Sequence, residues 1–282
     1  MSDTRRIDLH AHSSVSDGTE PPHDLVADAK AAGLDVVAIT DHDTVAGWDE
    51  ASKAAAEFGV TVVRGLELSC TRGSASIHVL GYLVDPDTPG LQPELTAIRA
   101  GRTDRLPTML AALASHGMPL TEEQIWAQAG TADSLGRPHV ADAMVAAGYV
   151  VDRQQAFDEW LAEGKPAFVN RYAPDVADGV SLISRAGGVP VLAHPWGRES
   201  RPALTEELIA ELVDLGLAGL EAHHADHDEQ AETDLVALAG RLGLAVTGGS
   251  DWHGTGKVGH DLGSRLTDPA DYERLLGARM AG

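Results

Sequence analysis

Short runs rich in Val, Ile and Leu recur along the chain, at 6–9, 36–40, 61–68, 77–83, 189–193, 219–221 and 244–247. Each has the length and composition of a buried strand. Between most of them lie Ala-rich segments, at 22–32, 46–58, 205–215 and 230–242, whose apolar residues return every three to four positions. That period predicts helices with one face packed on the strands. Strand and helix in alternation predict parallel strands joined by right-handed crossovers. Seven strands of this kind predict an α/β fold closed, or nearly closed, into a barrel.

The alternation breaks once. After residue 83 a stretch rich in Pro and Asp, 85–93, leads into helical patterns at 95–116, 121–129, 138–147 and 153–163, with no strand pattern among them. The expected organisation is a discontinuous barrel domain, 1–94 and 173–282, with an all-α insertion domain at 95–172.

The polar residues that follow the strands carry the chemistry. The first strand runs into His10 and His12, then Asp17; the second into Asp41 and His42; the third into Glu67. His78 follows Ile77, His194 ends the 189–193 run, and Asp251 and His253 follow the last strand. The C-terminal rim of such a barrel is where active sites are built. A lone His at a strand end is an ordinary polar rim residue, but nine metal-ligand types at the same rim are not a scatter. His10 and His12, two apart, point the same way along a strand and can chelate one ion, as can Asp251 and His253. His with carboxylates and without thiolate suits manganese, iron or zinc. Nine ligands are too many for one ion; two or three divalent ions fit, with Glu67 bridging two of them. Asp41 is expected to orient a ligand imidazole. Glu221, His223, His224 and His227 stand between that role and ordinary helix-start polarity.

The 282 residues carry 21 Lys plus Arg against 43 Asp plus Glu, a formal charge of −22. A surface this acidic repels long duplex nucleic acid and anionic membrane, but not a small anion held by a local positive site. The insertion holds nine acids and seven bases, so it carries −2 and the remainder −20. It is the less repulsive surface for an anion. The apolar runs are too short to span a bilayer, the N-terminus lacks a signal-like apolar stretch, and the lone Cys70 cannot form an internal disulfide. A cytoplasmic setting is expected. Cys70 has no base to pair with and reads as a packing residue.

The motifs DLHAHSSVSDG (8–18), ITDHD (39–43), GLELS (65–69), IHVLGY (77–82), AHP (193–195) and GSDWHG (249–254) together resemble the PHP (polymerase and histidinol phosphatase) superfamily. The resemblance implies a distorted (β/α)₇ barrel and a trinuclear metal site. One ion would take His10, His12, Glu67 and Asp251; a second Asp17, His42 and His253; a third Glu67, His78 and His194. Arg102 and Arg105 on one helix, and Gly136-Arg137-Pro138-His139 opening another, resemble the subgroup with a helical insert over the active site. That subgroup includes nucleoside 3′,5′-bisphosphate phosphatases and 5′-3′ exonucleases acting on short 5′-phosphorylated RNA. It implies that Arg102, Arg137 and His139 contact substrate phosphate, with Arg105 a neighbour, in a phosphoesterase whose partner is a small phosphorylated molecule. By residue type alone, Arg99, Arg102 and Arg105 would be a solvated helix face, whereas Arg137 beside a helix N-terminus is a better anion ligand. Glu67, His42, His253 and His139 are the candidate catalytic residues, and His139, not a metal ligand, is the better proton donor. Two alternatives stay open: a histidinol phosphatase or general phosphomonoesterase, and a non-catalytic metal-binding module.

Overall fold

A computed structural model describes residues 4–130, 132, 134–197 and 200–280. Seven strands form one sheet in chain order: β1 (Ile7–Asp8), β2 (Val36–Ile39), β3 (Thr61–Arg72), β4 (Ala75–Tyr82), β5 (Val189–Leu192), β6 (Gly219–His223) and β7 (Ala245–Gly248). The first and last strands approach each other through Leu9 N–H to the Gly248 carbonyl, 3.3 Å, and an isolated bridge between Ala11 and Trp252. The barrel is therefore nearly closed, as the pattern of apolar runs predicts.

The expectation of uniformly parallel strands fails at β4, which runs antiparallel to both β3 and β5. The cause is local. Arg72 pairs with Ala75, so only Gly73 and Ser74 connect the two strands, with Gly73 at φ 61°. A two-residue turn cannot hold a crossover helix, so the next strand must reverse. As a result the start of β4, not its end, lies at the C-terminal rim.

Helices α1 (Pro22–Ala31) and α2 (Trp48–Phe58) follow the first two strands. Both faces of β2 are buried. Val36 and Ala38 join Leu9, Leu80 and Val191 in the barrel interior, while Val37 and Ile39 pack with Leu25, Ala29 and Ala51 of the helices. Such doubly buried strands need continuous apolar runs. Between β4 and β5 lie α3 (Leu91–Asp104), α4 (Leu106–Ser115), α5 (Glu122–Ala129), α6 (Arg137–Ala146), and α7 (Arg153–Ala156) continuing into a π-helical turn (Phe157–Leu161). Then come α8 (Val176–Arg185), α9 (Glu206–Asp214), α10 (Glu229–Leu242) and α11 (Pro269–Met280). The expected boundary at residue 95 falls inside α3, whose Leu95 and Ile98 pack with Leu66, Leu68 and Val180 of the barrel's outer layer. A separate apolar cluster begins at Leu106 and includes Met109, Leu113, Ile125, Met144 and Leu161. No helix among the described residues is long and apolar enough to cross a membrane.

Leu113 is fully buried at the centre of this second cluster. Leu113→Ala is expected to lower stability by about 2–5 kcal/mol, since the cavity adds to the lost transfer energy. Urea unfolding followed by circular dichroism checks this; a loss below about 1 kcal/mol would mean the helical cluster does not contribute a packed core of its own.

Candidate metal centre

All nine rim residues singled out in the sequence meet in one group, seven of them buried and His42 and His78 partly so. Four atoms converge first: His10 Nε2, His12 Nε2, Glu67 Oε2 and Asp251 Oδ1. The two imidazole nitrogens are 3.1 Å apart. Glu67 Oε2 lies 3.5 Å from His10 Nε2 and 3.2 Å from His12 Nε2. Asp251 Oδ1 lies 3.6 Å and 3.4 Å from the same nitrogens. Metal–ligand bonds of about 2.1 Å in a tetrahedron place ligands about 3.4 Å apart. The 3.1–3.5 Å separations among His10, His12 and Glu67 fit that spacing, and Asp251 Oδ1 stands at a similar distance from the two imidazoles. His42 Nδ1 sits 3.0 Å from Glu67 Oε2 yet makes no hydrogen bond, and His12 Nδ1 is likewise buried without a partner. An unpartnered imidazole nitrogen facing a buried carboxylate oxygen, as His42 Nδ1 faces Glu67 Oε2, suits a cation between them.

Two further groupings adjoin the first. Asp17 Oδ1 lies 3.3 Å from His253 Nε2, and Asp17 Oδ2 3.8 Å from His42 Nε2. On the other side, Glu67 Oε1 lies 2.7 Å from His78 Nδ1 and 3.2 Å from His194 Nε2. The two oxygens of Glu67 thus face different imidazole sets. His78 reaches this point only because β4 is reversed: it pairs with Ser69 at the strand's rim end. Backbone strain is concentrated here as well. His194 and Asp251 have φ of 30° and 52°, in the left-handed region that ordinary residues avoid.

The electrostatics agree. Burial pushes the Glu67 carboxyl up, but His42, His78 and His10 hold it well below the usual range. Burial, with Arg102 and His12 nearby, keeps His42 well below the ordinary imidazole value against the pull of Glu67 and Asp17, in the neutral form that ligates metals. Burial also lowers His10, yet Glu221, Glu67 and Asp251 raise it well above that value. These carboxylates demand positive charge at the centre, and a proton or a metal ion can supply it.

A surrounding layer fixes the rings. Glu221 Oε1 accepts from His10 Nδ1 at 2.9 Å, which turns the lone pair of Nε2 inward, and Glu221 Oε2 accepts the His194 backbone N–H at 2.8 Å. Of the two roles open for Glu221, the structure gives it ring orientation. His253 Nδ1 donates to the Asp251 carbonyl at 2.8 Å. His224, buried, sits 3.3 Å from Asp251 Oδ2. His227 accepts the Trp196 N–H and donates to the Ala222 carbonyl, bracing that segment. His223 faces away and pairs with Glu232 of α10 at 2.6 Å. Asp41 does not orient an imidazole. It accepts from Ser13 N–H, Ser13 Oγ and Ser16 Oγ at 2.7–2.8 Å and so holds the loop that carries Asp17. Gly249 is required by packing, because a Cβ there would lie 2.2 Å from His10 Cβ.

Sequence reasoning passed over Asp43 and Lys257. Asp43, strained at φ 56°, accepts from Ser69 N–H at 2.7 Å and from Arg102 Nη2 at 2.6 Å and Nε at 3.0 Å. It ties α3 to the barrel beside the metal group. Its place in ITDHD was the available signal. Lys257 bonds Asp251 Oδ2, from a loop whose Gly256 carbonyl accepts from Arg153 of α7; no spacing rule marks it. Arg102 and His139 are buried near the centre, and the His139 Nδ1 accepts the Gly136 N–H at 3.0 Å. Arg105 and Arg137 lie farther out: Arg105 donates to the Val169 carbonyl, and Arg137 donates to the Leu161 carbonyl and stacks over Phe157 and Phe168.

A barrel rim of imidazoles and carboxylates with arginines beside it defines a metal-dependent phosphoesterase. A family model for the PHP domain matches residues 8–123. The chain is 34% identical over 257 residues to the 3′,5′-nucleoside bisphosphate phosphatase of Chromobacterium violaceum, covering 91% of this chain and 90% of that one. It is 33% identical over 250 residues to a 5′-3′ exoribonuclease of Haemophilus influenzae, covering 89% and 90%. A crystal structure from Bifidobacterium adolescentis, described as a candidate metal-dependent phosphoesterase, superposes with a TM-score of 0.92 at 35% identity over 99% of this chain and 98% of that one. The chain belongs to the PHP family and is a phosphoric ester hydrolase.

Glu221→Gln keeps the shape of the side chain but weakens the acceptor on His10. Metal affinity is expected to fall about 10–100-fold, measured by competition with a chromophoric chelator. Unchanged affinity would remove Glu221 from the supporting layer.

Proposed function

We propose that this chain hydrolyses phosphate esters of nucleotides bearing phosphates on both the 3′ and 5′ sides of one ribose. A nucleoside 3′,5′-bisphosphate such as adenosine 3′,5′-bisphosphate, losing its 3′-phosphate, and the 5′-phosphorylated end of a short RNA share that chemistry. The observation that carries the reading is Arg102. Its guanidinium is buried, fixed by Asp43 and Ser69, and set beside the metal group rather than out in solvent. A monoester needs one phosphate site; a second cation held this firmly suits a second phosphate. The names of the relatives from C. violaceum and H. influenzae point the same way.

In this reading His10, His12, Asp17, His42, Glu67, His78, His194, Asp251 and His253 hold two or three divalent ions, manganese, iron or zinc. Bound ions would supply a water-derived nucleophile near neutral pH and offset charge on the reacting phosphate. Glu67 lies between the imidazole sets and fixes their separation, while His42 and His253 line the side of the centre next to Asp17. Arg102 binds the second phosphate, with Arg105 and Arg137 adding positive potential behind it. His139 is held neutral by burial. With Nδ1 accepting from Gly136, its proton sits on Nε2, available as a hydrogen-bond donor to a phosphate or leaving oxygen. The protein works in the cytoplasm on a small phosphorylated substrate.

Manganese-loaded protein should be assayed side by side on adenosine 3′,5′-bisphosphate, 3′-AMP, AMP, histidinol phosphate and a 5′-phosphorylated RNA tetramer. Substrates with both phosphates are expected to exceed 3′-AMP more than tenfold in kcat/KM, about 1.4 kcal/mol in the barrier. A preference for histidinol phosphate, or no discrimination, would contradict the two-phosphate reading and leave a general phosphomonoesterase.

A further inference from the structure

The inner face of the β3–β4 hairpin is a ladder. Residues two apart on a strand share a face and stand about 6.7 Å apart. Glu67, at the first step, belongs to the metal group. Ser69, at the second, bonds Arg102 Nη2 at 2.8 Å. Thr71, at the third and paired with Ser76, lines a separate, partly open pocket walled by Arg105, Arg137 and Arg171. No candidate metal ligand lines that pocket, and neither does Arg102. Cationic groups therefore occur at successive steps leading away from the centre.

The third step is under electrostatic tension. Arg105 is 7% exposed, and its hydrogen bond to the protein is a 3.4 Å contact from Nη1 to the Val169 carbonyl. Burial, then repulsion from Arg137, Arg171 and Arg102, pulls Arg105 down to about 8. Arg171 is pulled to about 9 by burial and Arg102, and the carboxylate opposing this is Asp43, which Arg102 already engages. Grouping buried guanidinium ions costs stability unless an anion offsets it. The hydroxyls of Ser74 and Ser76 and the amide of Asn170 border the same pocket and add neutral donors.

We propose that this pocket is a third anion station, which grips the outer phosphates of a nucleotide carrying a di- or triphosphate chain at its 5′ end. The inference rests on the two-phosphate reading and narrows its substrate class. The 3′-phosphate lies at the metal centre, the first 5′-phosphate at Arg102, and the outer chain at Arg105, Arg137 and Arg171. The chain is held and not cleaved.

The test compares adenosine 3′-phosphates bearing a 5′-mono-, di- or triphosphate. The wild-type protein is expected to favour the best of the longer chains at least tenfold in kcat/KM over the monophosphate, with the gain in KM. Arg171→Gln and Arg105→Met should bring that ratio near one, and Arg171→Lys should keep part of it. Equal or poorer use of both longer chains by the wild-type protein overturns the station, as does a ratio that survives both substitutions in folded, metal-loaded protein. If no 3′-phosphate is released from any of them, the two-phosphate reading fails by itself. The station is then decided by calorimetry of inorganic pyrophosphate binding in EDTA: tenfold weaker binding by Arg171→Gln supports it, and equal or absent binding rejects it.

Discussion

The position of one carboxylate organises this molecule. Glu67 is 1% exposed, and its two oxygens face different sets of imidazoles. A carboxylate and several imidazoles buried together are costly without a compensating charge. The structure meets that cost in three ways. It surrounds Glu67 with His10, His12, His42, His78 and His194, and it spends backbone strain at His194 and Asp251 to aim their side chains. It also anchors the outer atoms of the ring through Glu221, Lys257 and backbone carbonyls. What remains is a demand for cations at the middle, which the chemistry of a metal-dependent phosphoesterase uses.

Strand direction decides what reaches the centre. Parallel strands bring their C-terminal ends to one rim, which accounts for His10, His12, His42 and Glu67. His78 would be at the wrong end of a parallel β4. The Gly73-Ser74 turn reverses the strand and returns the histidine to the rim. The same turn extends β3 and β4 past the rim as a hairpin, and the arginines collect against its inner face. One tight turn thus supplies both a candidate ligand and the wall on which cations are arranged.

Most of this was legible in the sequence because it is local. Apolar runs mark all seven strands, and the residue after each run is polar for a reason the barrel makes plain. The direction of β4 was not legible from alternation, since a strand reads the same both ways; the clue was the short Gly-Ser connection. The edge of the helical cluster was obscured because α3 is amphipathic toward the barrel while its neighbour α4 packs on the other helices. Asp41 and Asp43, two residues apart on one loop, could not be told apart by type. Asp41 braces Ser13 and Ser16 of its neighbouring loop, whereas Asp43 braces Ser69 and an arginine 59 residues away, a distinction only tertiary contact makes.

The central claim is that this buried group holds several ions around Glu67. Crystals of the manganese-loaded protein, measured at the manganese absorption edge, test it directly. The account predicts at least two anomalous peaks, one among His10, His12 and Asp251 and one beyond Glu67 toward His78 and His194 or toward Asp17 and His253. A fully loaded crystal with no peak within bonding distance of Glu67 would contradict it.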